Sequence, residues 1–344
     1  MRQMLRRALG LVLAGYAVLG AAAVILAVLL TVHAETVRGR LCGLAALVFV
    51  PVPVFLYLCL WPRVIRLCRL AAVCLAAAAL VLFAICYRLA PTGMPPAGSC
   101  ARSVFTGETR FHRVSIANLV PEIDQLKIAT YVLPLIEGSQ RTRTVFLGVY
   151  RNMLGSREFE DLGSVLGYTY LDLFMNQRPV GHFYEYVSSS ANTTNRIPVI
   201  LFVHGSFGGF RGYLWIWKQF ADQNGYAIVA PTFGFGNWDL PGGVESIESA
   251  RQYCLRHARM DGRRIILAGL SNGGRGALRA AAEHPDAYQG LILMSPVMDD
   301  AVIDSKAFAQ AWERKPVLVL EGAGMAVSAR ATSETARSTW RPPG

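Results

Sequence analysis

Three long apolar stretches occupy the start of the chain: Ala8–Val32, Leu41–Trp61 and Leu70–Ala90. Each is about as long as the ~20 residues that a helix needs to cross a bilayer core. They show almost no polar face, which the helices of a soluble bundle would still display. A secretory signal peptide fits the first stretch poorly, because its apolar core is normally ~7–15 residues long and two further stretches follow here. Pro51 and Pro53 lie inside the second stretch and predict a kink, which membrane helices tolerate. Trp61 and Tyr87 stand at stretch ends, where amphipathic rings settle in the headgroup region. The pattern predicts a membrane anchor of three transmembrane helices over residues 1–90, with the lipid bilayer as its partner.

Past Ala90 the pattern changes twice. Pro91–Gly98 (PTGMPPAG) is turn-forming by composition and marks a linker over residues 91–102. Within 103–190, strands are expected at Leu126–Leu135, Thr144–Val149 and Val180–Val187, and a helix at Glu158–Asn176. These elements are expected to form an N-terminal extension that packs on the following sheet. From Ile197 short apolar runs alternate with amphipathic stretches. Strands are predicted at Pro198–Val203, Tyr226–Ala230, Arg264–Ala268, Gly290–Met294 and Pro316–Leu320, and helices at 213–224, 244–258, 276–283 and 307–312. Such alternation predicts the α/β class, a mostly parallel sheet with helices on both faces, over residues 191–320. Residues 321–344 are rich in Ser, Thr, Ala, Arg and Pro, a composition that predicts a disordered tail.

Charge changes this picture little. The formal net charge is +11, yet many of the arginines flank apolar spans and others lie in the tail. No basic run interleaved with aromatics occurs, which argues against nucleic acid as a partner. The arginines instead give an orientation. Arg2, Arg6 and Arg7 precede the first span, and Arg63, Arg66 and Arg69 lie between the second and third. Only Arg38 and Arg40 lie in the first loop. The positive-inside bias then places the N-terminus in the cytoplasm and everything after Ala90 on the extracytoplasmic side. The spans carry almost no ionisable residues, which disfavours a transporter. Five of the seven cysteines lie in or beside the spans, and Cys100 and Cys254 fall in the remainder. No metal-ligand spacing occurs, so no metal is expected.

Candidate chemistry is concentrated between Arg263 and Leu278. Ile265–Ala268 is an unbroken apolar run suited to a strand buried on both faces. Gly269-Leu270-Ser271-Asn272-Gly273 then fits G-x-S-x-G, and a helical pattern follows. A serine at such a turn is pushed out at the carboxyl end of the sheet, with a helix N-terminus behind it that favours developing negative charge. Upstream, Val199–Gly209 reads VILFVHGSFGG, a buried strand closed by His-Gly and small residues.

Strand–HGSFGG–helix followed by strand–GLSNGG–helix resembles the α/β-hydrolase superfamily over roughly Pro198–Leu320, with PTFGFGNW (231–238) and HPDAYQGLILMSP (284–296) as further similar segments. The esterase, dienelactone-hydrolase and acyl-peptidase-like branches are the nearest relatives in pattern. The resemblance implies that Ser271 is the nucleophile and that no cofactor takes part. It implies one oxyanion-hole amide at Asn272 and a second at Ser206, with Phe207 as the alternative. The substrate class it implies is a small-molecule or peptide acyl compound, an ester or an amide.

The rest of the triad departs from the superfamily pattern. The order there is Ser, acid, His, and here no histidine follows His284. Met325 stands where an acid is expected, which leaves Asp299, Asp300 and Glu321 as candidate acids. His204 and His284 are expected to be structural. A histidine, His204 or His257, replaces the base only if the fold brings it within about 3 Å of Ser271. The competing expectation is a catalytically incomplete or truncated member that acts as a binding module or has no activity.

Overall fold

The computed structural model describes residues 2–59, 65–107, 109–132, 139–189 and 196–321. Apart from Glu321, the predicted tail lies outside the described residues. The chain divides into two units, Met1–Pro91 with Arg113–Asn152, and Thr92–His112 with Met153–Gly344. The division differs from the expected single extension over 103–190: residues 113–152 belong with the apolar helices rather than with the sheet.

In the first unit α1 (Arg2–His33) is followed by a short turn, α2 (Val37–Phe49), α3 (Val52–Leu58) and α4 (Ile65–Leu89). The predicted kink is a break. The α2 ladder closes with Val50 N–H donating to Ala46 O, and Pro51 caps α3 without an amide proton to give. Among the described residues two segments are long and apolar enough to cross a membrane, Val37–Leu58 and Ile65–Leu89. In α1 the apolar helix found among the described residues is the shorter Leu19–His33.

The unit is completed by α5 (Ile116–Leu119), α6 (Glu122–Val132) and α7 (Ser139–Met153). Strands were expected over much of α6 and α7, so this is a correction. The β-branched content of 126–135 and 144–149 favours a strand only weakly. The buried positions Leu147 and Tyr150 recur at helical spacing, and Glu122 and Asp124 place negative charge in the first turn of α6. Asp124 then clasps the α1–α2 turn. One carboxylate oxygen accepts from the Glu35 and Thr36 amides (2.5 and 3.2 Å) and the other from the Thr36 hydroxyl (2.5 Å). Burial pushes the Asp124 carboxyl above its usual range against those bonds. Glu35, in the same turn, pairs with Lys127 and Arg151 at 2.6 and 2.9 Å.

The second unit is built on seven strands: β1 (Ala101–Phe105), β2 (His182–Val187), β3 (Ile197–Val203), β4 (Ala227–Pro231), β5 (Met260–Leu270), β6 (Gly290–Met294) and β7 (Val317–Leu320). Their order across the sheet is β1-β2-β4-β3-β5-β6-β7. The β1–β2 and β2–β4 pairings are antiparallel, and β4, β3, β5, β6 and β7 run parallel. Between β1 and β2 lie α8 (Arg157–Glu160) and α9 (Leu166–Met175), so the single helix expected over 158–176 is two short ones. The later helices are α10 (Arg211–Asn224), α11 (Gly243–Arg256), α12 (Asn272–Glu283), α13 (Asp300–Ile303) and α14 (Lys306–Trp312).

β3 is the central strand. Val199, Leu201 and Val203 on one face and Ile200 and Phe202 on the other are all buried, as a continuous apolar run requires. The register sets Val203 beside Gly269 and Leu270 beside Met294. The turns after β3, β5 and β6 therefore leave the same edge of the sheet, the carboxyl edge where ligands bind in such folds. At the far side β7 pairs with β6, and its Val317, Leu318 and Leu320 are exposed.

Candidate active site

Ser271 stands between the last residue of β5 and the first of α12 with φ 51° and ψ −121°. That is the mirror image of an extended conformation, comfortable for glycine but not for serine. Holding a non-glycine residue there costs roughly 1–3 kcal/mol. Three main-chain bonds keep it in place. The Ser271 N–H donates to Met294 O (3.0 Å), and its carbonyl accepts from Gly274 N and Val297 N, both at 2.8 Å. Glycine at 273 lets the first turn of α12 pass against the end of β3, because a Cβ there would strike the Val203 carbonyl and lie 2.6 Å from that of His204.

The HGSFGG turn comes close to the same point. A Cβ on Gly205 would lie 3.1 Å from the Ser271 Cβ. Asn272 Nδ2 donates to Ser206 Oγ at 2.8 Å and ties the two turns together. The fold thus brings Ser206, Ser271 and Asn272 into one cluster. Among the described residues, no main-chain carbonyl takes a bond from the amides of Ser206, Phe207 or Asn272. Phe207 has φ 75°, a second strained residue beside the serine turn.

Among the aromatic residues from Phe207 to Trp238, Phe210, Phe233 and Trp238 are buried. Phe207 is 49% exposed and packs edge-on against half-buried Phe235, ring centroids 5.0 Å apart. Those two rings form an apolar wall next to the serine turn.

No contact in the sequence hinted at the support of that wall. In α9, Thr169 donates to Gly234 O at 2.9 Å, and Asp172 Oδ2 accepts from Phe235 N at 2.9 Å. Arg178 Nε sits 2.8 Å from Asp172 Oδ1 as an ion pair, without hydrogen-bond alignment. A single aspartate inside the apolar run LGYTYLDLFM is the signal that could have found it, since buried carboxylates are rare unless paired.

The histidines are placed as follows. His204 is buried with both ring nitrogens committed, Nδ1 to Gly205 O (2.7 Å) and Nε2 accepting from Phe233 N (3.2 Å). An accepting Nε2 means that the proton is on Nδ1, which donates to the carbonyl. This imidazole has no free lone pair for a serine proton, in keeping with the structural role expected of it. His257 lies ahead of the first residue of β5, while Ser271 follows its last; Met260 and Gly269 pair with Ile197 and Val203 at the two ends of β3, roughly 20 Å apart at ~3.3 Å per residue. His257 pairs with Glu185 at 3.9 Å. His284 ends α12, twelve residues long, and so lies roughly 18 Å from its start; its partner is Glu248 at 4.0 Å.

The candidate acids are dispersed too. Asp299 accepts from Arg279 Nε at 2.6 Å, whereas Asp300 and Glu321 are exposed. None of the three pairs with a histidine among the described residues.

Burial lowers His204 to about 4 and His182 to about 3. Both are neutral when folded and bind a proton near 6.5 once unfolded, so below 6.5 the unfolded state holds more protons. Stability is full above that pH and falls as the pH descends toward each folded value, at about 1.4 kcal/mol per pH unit per histidine. Urea titrations of the chain in detergent between pH 7 and 4 should show this loss. A flat profile contradicts two buried neutral imidazoles.

A parallel sheet with an antiparallel end, helices around it and a strained serine between strand and helix at its carboxyl edge define an α/β-hydrolase-type fold. Residues 242–338 match the prolyl oligopeptidase family. Solved structures to which the chain is similar include EstE1, a thermostable carboxylesterase cloned from a metagenomic library (20% identity, 39% of this chain and 52% of that one, TM-score 0.31). Another is an S-formylglutathione hydrolase from Agrobacterium tumefaciens (17% identity, 39% and 58%, TM-score 0.31). The chain spans between half and three-fifths of the length of these two enzymes. No curated protein matches.

Proposed function

We propose that the chain is a membrane-anchored serine hydrolase that cleaves an ester or amide by acyl transfer through Ser271. The observation that carries this is the backbone of Ser271 itself. A non-glycine residue pinned by three main-chain bonds at φ 51°, ψ −121° serves no packing need that glycine would not meet at lower cost. In this reading the hydroxyl of that residue faces the amides of Asn272 and of Ser206 or Phe207, which take no bond from a main-chain carbonyl among the described residues. Such amides stabilise the oxyanion of a tetrahedral intermediate, each donor being worth about 2.7–4 kcal/mol of barrier. The match over residues 242–338 supports the same chemistry.

The anchor is three helices, of which Val37–Leu58 and Ile65–Leu89 have the required length and apolarity. The arginine distribution supports a cytoplasmic N-terminus and an extracytoplasmic hydrolase unit. The lipid bilayer is the partner of the helices, and a small-molecule or peptide acyl compound that of the cleft.

One observation favours the second reading, a binding module with an incomplete triad: His204, His257 and His284 are each committed elsewhere or distant. Serine is a weak nucleophile without a base, and an oxyanion hole with binding alone leaves roughly 10³–10⁴ over water. Hydrolysis of p-nitrophenyl esters by the chain in detergent separates the two. Ser271→Ala is expected to reduce turnover to the background rate. Ser206→Ala should change it less than about tenfold, because its main-chain amide, not its hydroxyl, is the donor. Equal turnover by wild type and Ser271→Ala rejects the hydrolase reading.

A further inference from the structure

Cys42 and Cys86, both free thiols in the structure, lie near the α1–α2 turn and face each other across the packing of two helices. α2 and α4 run antiparallel, and Arg38 Nη1 donates to the Leu89 carbonyl at 2.5 Å. One helical turn further along α2 is Cys42, and three residues back along α4 is Cys86. That register puts the two side chains on facing sides of α2 and α4 at one level, near enough to interact. Cys86 is buried, and Cys42 is half-buried with its Sγ 3.2 Å from the Leu119 carbonyl. The face that α4 buries is lined by small residues, Cys68, Ala72, Ala79 and Cys86, which lets helix backbones come close. A disulfide needs Cα atoms ~4.4–6.8 Å apart, which requires α2 and α4 to approach closely at this level, as the small residues on the buried face of α4 allow. Among the described residues no cluster of three or more metal-ligating side chains exists, so two thiols without a third ligand do not make a metal site.

We infer that Cys42 and Cys86 form a disulfide that staples α2 to α4 at the end of the helices from which the chain leaves the membrane. This rests on the orientation proposed above, which puts that end in an oxidising compartment. The two thiols give up two protons and two electrons to the disulfide of a thiol oxidant. One S–S bond forms between Cys42 and Cys86, the oxidant's S–S bond breaks, and the oxidant leaves as a dithiol. The bond restrains the loop between the two helices in the unfolded chain and fixes the end of α4 next to the turn held by Asp124.

The test is thiol counting on the full chain in its membranes, acid-trapped, dissolved in SDS and treated with a maleimide–polyethylene glycol. Seven cysteines less the two paired leave five, so five additions are expected before reduction and seven after. Cys42→Ser and Cys86→Ser should each give six additions without reductant. Seven additions before reduction overturn the inference. In that event copper–phenanthroline treatment of the membranes locates the error. Conversion to five shows adjacent thiols in a reducing compartment, which also contradicts the orientation. No conversion shows that the thiols do not meet and leaves the orientation untouched. Protection that persists in Cys42→Ser overturns the pairing.

Discussion

Gly273→Ala is expected to destabilise the sheet unit by about 3 kcal/mol, against the usual sign of a glycine-to-alanine change in a helix. Alanine normally gains ~1 kcal/mol over glycine within a helix. At 273 the added methyl would strike the Val203 carbonyl and lie 2.6 Å from the His204 carbonyl, both main-chain atoms at the end of β3. Main chain in a central strand cannot swing aside as a flexible side chain does, and overpacking of this kind costs about 1–3 kcal/mol or more. Gly148 in α7 is the control, because nothing lies within 4 Å of its added Cβ. Gly148→Ala should stabilise by about 1 kcal/mol. Chemical denaturation of the two variants checks the pair. Two changes of the same sign would contradict the close approach of α12 to β3.

The second large effect separates stability from chemistry at one residue. Ser271→Gly and Ser271→Ala both remove the hydroxyl, yet only glycine is at ease at φ 51°, ψ −121°. Relief of strain of roughly 1–3 kcal/mol outweighs the ~0.5–1 kcal/mol that glycine loses in conformational entropy. Ser271→Gly is therefore expected to be more stable than Ser271→Ala by about 1 kcal/mol, and both are expected to be inactive. A residue kept where it destabilises the fold marks a functional site. Equal stability of the two variants would mean that the turn is not strained.

The sheet from Ile197 onward was legible because its strands are buried on both faces and appear as apolar runs. The runs at Pro198–Val203 and Gly290–Met294 became β3 and β6 within a residue of their expected bounds. Ser271 was legible for a related reason: a sharp strand-to-helix turn admits few residues beside the serine, and the glycines at 269 and 273 recorded this.

The segment 113–152 was not legible as helix. Its β-branched residues masked a helical spacing that becomes visible only once Leu147 and Tyr150 are seen to be buried together. The α9 support of the PTFGFGNW loop could not be read either. Thr169 and Gly234 are 65 positions apart, and Asp172 and Phe235 are 63 apart. Single polar contacts across such separations leave no periodic trace. His204 was expected to be structural from its place in the His-Gly turn, and the tautomer set by Gly205 and Phe233 supplies the physical reason, a ring with no free lone pair for a serine proton.

The central claim is that the hydroxyl of Ser271 is a nucleophile, and the site of covalent capture tests it most directly. The chain in native membranes is treated with a fluorophosphonate, digested with trypsin and mapped by mass spectrometry. The phosphonyl group is expected on Ser271, within the peptide Ile265–Arg275 (IILAGLSNGGR). An adduct on another serine, or an unmodified Ile265–Arg275 peptide from chain shown to be folded, would contradict the account.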